Sequence, residues 1–132
     1  MSEQKVICID FDGVINNYKG YRGWGIFEEP ITGAAEKIQQ LKKDGWKIII
    51  FTTREETKLI ADYCNKYGIP YDEMNRNSGN YPFTNMGKPH ADVYLDDRAI
   101  NFNGNWDEIY PKIVNFKPWN EELREVKKGK KQ

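Results

Sequence analysis

Three short apolar runs in this chain each end on a residue suited to holding an anion or a cation. They are Val6–Ile9 before Asp10, Ile48–Phe51 before Thr52, and Val93–Leu95 before Asp96. The first run continues as Asp10-Phe11-Asp12-Gly13-Val14. Side chains alternate along a strand, so Asp10 and Asp12 can aim two carboxylates at one pocket. Gly13 permits the sharp turn that must come next. The third run ends in Asp96-Asp97, a few residues after Lys88-Pro89. Carboxylates of this kind can bind a hard cation through oxygen, and a threonine hydroxyl can donate to an anion.

The elements that position these residues read as an open α/β sheet. Continuous β-branched runs without alternation predict strands covered on both faces, as in a parallel sheet between helices. Ligands of such sheets bind beyond the carboxyl ends of the strands, so one site can gather Asp10, Thr52 and Asp96. Thr32 is expected to cap a helix carrying Ala34, Ala35, Ile38 and Leu41 that ends at Gly45. Thr53-Arg54-Glu55-Glu56 reads as a capping box for a second helix, with Leu59, Ile60, Tyr63, Cys64 and Tyr67 on one apolar face. Gly68 and Pro70 should stop it. Short strands are expected at Tyr71–Met74 and, at a sheet edge, Ala99–Phe102. Trp106, Ile109, Tyr110, Ile113 and Val114 have helical spacing, which Pro111 should break or kink.

The chain resembles the haloacid dehalogenase (HAD) superfamily. Asp10-Phe-Asp12-Gly-Val14, Thr52-Thr-Arg54 after Ile48–Phe51, Lys88-Pro89, and Tyr94-Leu-Asp96-Asp97 are similar to that family's four motifs and keep their order. The resemblance implies a Rossmann-like fold with a central, mostly parallel sheet flanked by helices. It also implies a Mg²⁺-dependent phosphatase. Asp10 would be the nucleophile that forms an aspartyl-phosphate, and Asp12 the general acid. Thr52 would bond a phosphoryl oxygen, and Lys88 would neutralise the phosphate and Asp10. Asp10, the Asp12 carbonyl and Asp96 would hold the metal, with Asp97 a further ligand or a partner of one. The chemistry agrees with these roles. A carboxylate attacking a phosphate needs positive charge nearby, a covalent step divides a difficult displacement, and oxygen ligands favour Mg²⁺ over zinc. Donors at Thr52 and at the next helix N-terminus can cradle phosphoryl oxygens.

Around this centre, Thr53 is read chiefly as the helix cap and also as a phosphate contact. Arg54 is read either as a contact to substrate phosphate or as an exposed first-turn residue. The loop Gly13–Phe27 carries Gly20, Gly23 and Gly25 among Tyr18, Lys19, Tyr21, Arg22 and Trp24. It is expected to act as a small mobile lid, with Trp24 touching the substrate, or else to be packed onto the domain by Trp24. Neither this loop nor Asn75–Gly87 is long enough for a separate cap domain. His90 is read as structural or superficial, and Trp46 as core.

The 132 residues give one domain over 1–120 with a basic tail over 121–132. Twenty basic residues balance twenty acidic ones. That balance argues against a polybasic membrane or nucleic-acid binder and admits nucleic acid only as a substrate. Val6–Ile9 is cut short by Asp10, and no apolar run approaches a membrane span of roughly 20 residues. With Cys8 and Cys64 read as buried thiols, a cytoplasmic protein is expected. Its partner would be a phosphorylated sugar, a nucleotide or a nucleic-acid end, with a homo-oligomer as one way to cover an open site. A phosphorylation-dependent receiver is disfavoured by motif order, because its accepting Asp would lie on a middle strand. A catalytically silent binding protein on the same fold is the other alternative.

Overall fold

The computed structural model describes residues 3–79 and 87–121, so the tail beyond Glu121 and part of the Asn75–Gly87 loop lie outside the described residues. Four strands form one all-parallel sheet: β1 (Val6–Asp10), β2 (Lys47–Phe51), β3 (Glu73–Met74) and β4 (Val93–Leu95), in the order β3-β2-β1-β4. Helices α1 (Ala34–Lys43), α2 (Thr57–Tyr67) and α3 (Trp106–Val114) complete a Rossmann-like α/β fold. None of the described helices is long and apolar enough to cross a membrane.

The apolar runs become the two central strands because both their faces are buried. Ile7 pairs with Ile48 and Ile9 with Ile50, and all four join the core with Ile38 of α1 and Ile60, Tyr63 and Cys64 of α2. On the opposite face Cys8 pairs with Ile49, and both are buried. Both cysteines are free and buried, and burial pushes each thiol up to about 11. Past β1, the rings of Phe11, Phe27 and Tyr63 meet edge to face with centroids 5.2–5.5 Å apart. This cluster pins the end of the Gly13–Phe27 loop to α2.

Several local expectations need correction. The Thr53 capping box does not form; Glu56 occupies the N-cap of α2 without a side-chain cap bond. Its carboxylate instead accepts from Gly25 N–H (2.8 Å) and Arg54 Nη1 (3.2 Å), so it cannot reach back to Thr53. Gly33, at φ 90°, takes the N-cap of α1 in place of Thr32. Ala99–Phe102 forms no strand, and the strand expected at Tyr71–Met74 shrinks to Glu73–Met74. Helix α3 runs through Pro111, held by Asn105 at its start, which accepts from Asp107 N–H and Glu108 N–H. At its end Asn115 N–H bonds Pro111 C=O at 3.1 Å. Strand β4 is not covered as its apolar run suggests. Among the described residues it pairs only with β1, and Val93 and Leu95 are 42% and 48% exposed, while α3 has Ile109 as its one buried residue.

Candidate functional site

Register brings the strand ends level. Asp10 pairs with Phe51, and Ile9 pairs with Leu95, so Asp10, Thr52 and Asp96 emerge together at the carboxyl edge of the sheet. A cleft of about 380 Å³ opens there, lined by Asp10, Asp12, Tyr18, Phe51, Thr52, Thr53, Asp96, Asp97 and Arg98.

The turn after β1 is built around the Phe11 carbonyl, which accepts from Ile15 N–H (3.0 Å) and Asn16 N–H (2.8 Å). Gly13, at φ 87°, makes that turn possible. Buried Asn16 fixes one side of Asp12, donating from Nδ2 to Oδ1 at 2.9 Å while its own Oδ1 accepts from Glu28 N–H. The other Asp12 oxygen accepts from Arg54 Nε at 2.7 Å. At the end of β2, Thr52 N–H donates to Asn75 Oδ1 (2.8 Å), and Thr52 Oγ1 accepts from Arg54 N–H (3.1 Å). The Thr52 hydroxyl proton remains available to the cleft, since the bond to Arg54 uses only oxygen lone pairs.

Asp10, Asp96 and Asp97 each present a carboxylate oxygen, and these atoms lie within 4.8 Å of one another. Crowding of this kind is costly for anions. Asp10 is pushed from its ordinary 3.8 up to about 8, first by burial, then by its hydrogen bond with Asp97, then by the charges of Asp96, Asp97 and Asp12. The site must therefore share a proton or take up a cation. Clustered carboxylate oxygens are a donor set that a hard divalent cation fits. This cluster could hold a metal ion through Asp10, Asp96 and Asp97, while the Asp12 carboxylate faces Arg54 and Asn16 instead.

Six of the residues marked in the sequence therefore meet in the cleft: Asp10, Asp12, Thr52, Thr53, Asp96 and Asp97. Three do not. Lys88 lies outside the lining, with its Nζ 4.7 Å from the centre of the Tyr94 ring and its charge felt by Cys8. Arg54 is neither an exposed first-turn residue nor part of the lining; its side chain is 6% exposed, between Asp12 and Glu56. Trp24 is 60% exposed and belongs neither to the cleft lining nor to the hydrophobics packed on the core cluster. The loop's cations are engaged too, Arg22 pairing with Glu28 at 3.0 Å and Lys19 with the same residue at 4.0 Å. The first turn of α2 is set back from the cleft by Arg54–Glu56, so its N-terminus forms no part of the wall.

Sequence reasoning missed four contributing residues. Arg98 lines the cleft and is its only cationic wall residue among the described residues. The signal was its place directly after Asp96-Asp97, where Arg98 N–H turns back onto Asp96 Oδ1 at 2.8 Å. Asn16 comes closely enough after the Asp-x-Asp turn to brace it. Trp119 and Asn120 clamp the first loop, Trp119 Nε1 donating to Gly13 C=O (2.7 Å) and Asn120 Nδ2 to Tyr18 C=O (2.8 Å). Nothing local in the sequence marks that clamp.

No family model and no curated protein matches the chain. Among solved structures, it is similar to a conserved protein from Bacteroides thetaiotaomicron, with TM-score 0.59 and 25% identity, over 91% of this chain and 98% of that one. It is also similar to a chain in the structure of the Pnkp1/Rnl/Hen1 RNA repair complex, with TM-score 0.53 and 20% identity, over 93% of this chain and 42% of that chain. Together with the sheet topology, these likenesses place the chain among Rossmann-like α/β proteins.

Proposed function

We propose that this chain is a HAD-type phosphomonoester hydrolase, a single capless domain that works with Mg²⁺ through an aspartyl-phosphate on Asp10. The convergence of Asp10, Asp96 and Asp97 beside Thr52 at the carboxyl ends of three adjacent parallel strands carries the reading. Asp10 attacks phosphorus through a carboxylate oxygen. The Thr52 hydroxyl donates to a phosphoryl oxygen, and Arg98 supplies positive charge from the cleft wall. Asp12 protonates the leaving oxygen and later takes a proton from the water that releases phosphate. A divalent ion held by Asp10, Asp96 and Asp97 would supply the charge that lets an anion meet an anion. The substrate is a phosphorylated sugar or nucleotide, or the phosphate at a nucleic-acid end, and its own bulk covers the open site. Release of phosphate from a panel of such esters, with and without Mg²⁺, tests the reading. Metal-independent release, or none from any ester, would remove it.

Arg98 stands in the cleft, whereas Lys88 reaches it only by leaving the Tyr94 ring. Arg98→Ala should lower kcat/KM about 10- to 100-fold, the scale of losing one charge-assisted contact. Lys88→Ala should cost less. The opposite order would return the phosphate-neutralising role to Lys88.

The raised Asp10 also sets a pH dependence. Its folded value lies above its unfolded one, so the stability from this group is full below about pH 4 and lost as pH rises through about 8. A divalent cation replaces the shared proton, so Mg²⁺ should raise Tm more at pH 8 than at pH 5. The difference should shrink in Asp10→Asn. Equal gains at both pH values in the native chain would place the ion elsewhere.

A further inference from the structure

Arg54 is the most completely enclosed cation among the described residues, and its side chain meets the Asp-x-Asp turn, the loop that leaves it, and Glu56, which bonds that loop. Its Nε lies 2.7 Å from Asp12 Oδ2, and its Nη1 lies 3.2 Å from Glu56 Oε2. Glu56, with a side chain only 3% exposed, also accepts the Gly25 N–H of the loop. The guanidinium carbon sits 5.9, 5.4 and 4.9 Å from the ring centres of Tyr18, Tyr21 and Phe27. A buried guanidinium needs this many partners, because leaving any of its charge uncompensated costs several kcal/mol. Gly25 suits the point where the loop meets Glu56, because its φ of +71° is a left-handed conformation that side-chain-bearing residues rarely adopt.

We propose that Arg54 is a positioning residue for Asp12, and that the docked Gly13–Phe27 loop holds Arg54 in place, so loop docking aims the Asp12 carboxylate. This rests on the phosphatase reading and on Asp12 as its proton donor. Tyr18, Tyr21 and Phe27 thus border the guanidinium and serve the acid, even though Tyr21 is half exposed and Tyr18 also lines the cleft, whereas Trp24 is not among them. Asn16 holds the other Asp12 oxygen, so two donors fix the carboxylate plane. Loosening either the guanidinium or the loop lets that plane rotate. Proton donation to the leaving oxygen, and later proton uptake from water, then suffer while phosphate binding and nucleophilic attack remain.

Leaving-group dependence separates this role from a scaffold role. A nitrophenyl phosphate expels a weakly basic phenolate that needs little protonation, whereas a simple alkyl phosphate expels a strongly basic alkoxide. General-acid catalysis contributes about 10²–10⁴-fold where it is needed. Arg54→Lys, which keeps the charge but loses the guanidinium geometry, should therefore lower kcat/KM, which ends at leaving-group expulsion and leaves out the later water step, about 100-fold on the alkyl phosphate and less than about 5-fold on the nitrophenyl ester. Tyr21→Ala removes one wall of the enclosure, and should show the same selectivity at about one-tenth of the size even if Arg54→Lys fails to fold. Equal losses on both esters would overturn the proposal. With an unchanged Tm they would make Arg54 a phosphate contact, and with a lowered Tm a structural ion pair. Wild-type turnover of the nitrophenyl ester that vanishes in Asp10→Asn verifies the underlying reading separately. Without it, both readings fall.

Discussion

Asp10→Asn is expected to lower phosphatase turnover by about a thousandfold or more while leaving the protein folded, since removal of a covalent nucleophile has effects of this order or greater. The substitution keeps the shape of the side chain and removes the charge that, in the proposed mechanism, attacks phosphorus. It also relieves the crowding that pushes Asp10 upward, because an amide beside Asp96 and Asp97 carries no like charge. In the absence of metal, the variant should therefore be no less stable than the native chain at pH 8. Loss of activity without loss of stability marks a residue kept for chemistry and not for the fold. Thermal melts and steady-state kinetics on one preparation check both halves. Turnover near the native level in a folded Asp10→Asn protein would rule out the aspartyl-phosphate route.

The second large effect concerns the acidic pair after β4. Asp96→Ala should cut Mg²⁺-dependent turnover about 10²- to 10³-fold, since charge supplied at the reacting phosphate is worth several kcal/mol. It should also raise the Mg²⁺ concentration needed for half-maximal rate. Asp97→Ala should do less, because Asp97 meets Asp10 through a hydrogen bond that neighbouring groups can replace in part. Titrating Mg²⁺ into both variants decides the order. A larger defect at Asp97 would make it the principal ligand and Asp96 the residue that orients the turn through Arg98 N–H.

Much of the site was legible because each strand end is marked by an abrupt change from apolar to polar residues. Asp10, Thr52 and Asp96 stand at such changes, and parallel pairing then brings them together whatever the loops do. Features that depend on distant contacts were not legible. Arg54 finds Asp12 across 42 positions and thereby draws Glu56 away from the capping box that its local sequence suggests. Trp119 finds Gly13 across 106 positions, a contact that no periodicity encodes. Strand β4 reads as buried because its residues are apolar, yet its burial depends on the helix after it, and α3 turns Trp106 and Tyr110 outward. The loop is glycine-rich and aromatic as read; Tyr18, Tyr21 and Phe27 lie beside Arg54, a neighbour 27 or more positions away that no local pattern marks, and its cations pair with Glu28.

The most direct test is to incubate the protein with a phosphomonoester and Mg²⁺, quench in acid, and locate phosphoryl groups by peptide mass spectrometry. An aspartyl-phosphate mechanism predicts a phosphoryl group on the peptide carrying Asp10, more of it in Asp12→Asn, where release by water is slowed, and none in Asp10→Asn. Steady turnover with that peptide unmodified, in both the native chain and Asp12→Asn, would contradict it.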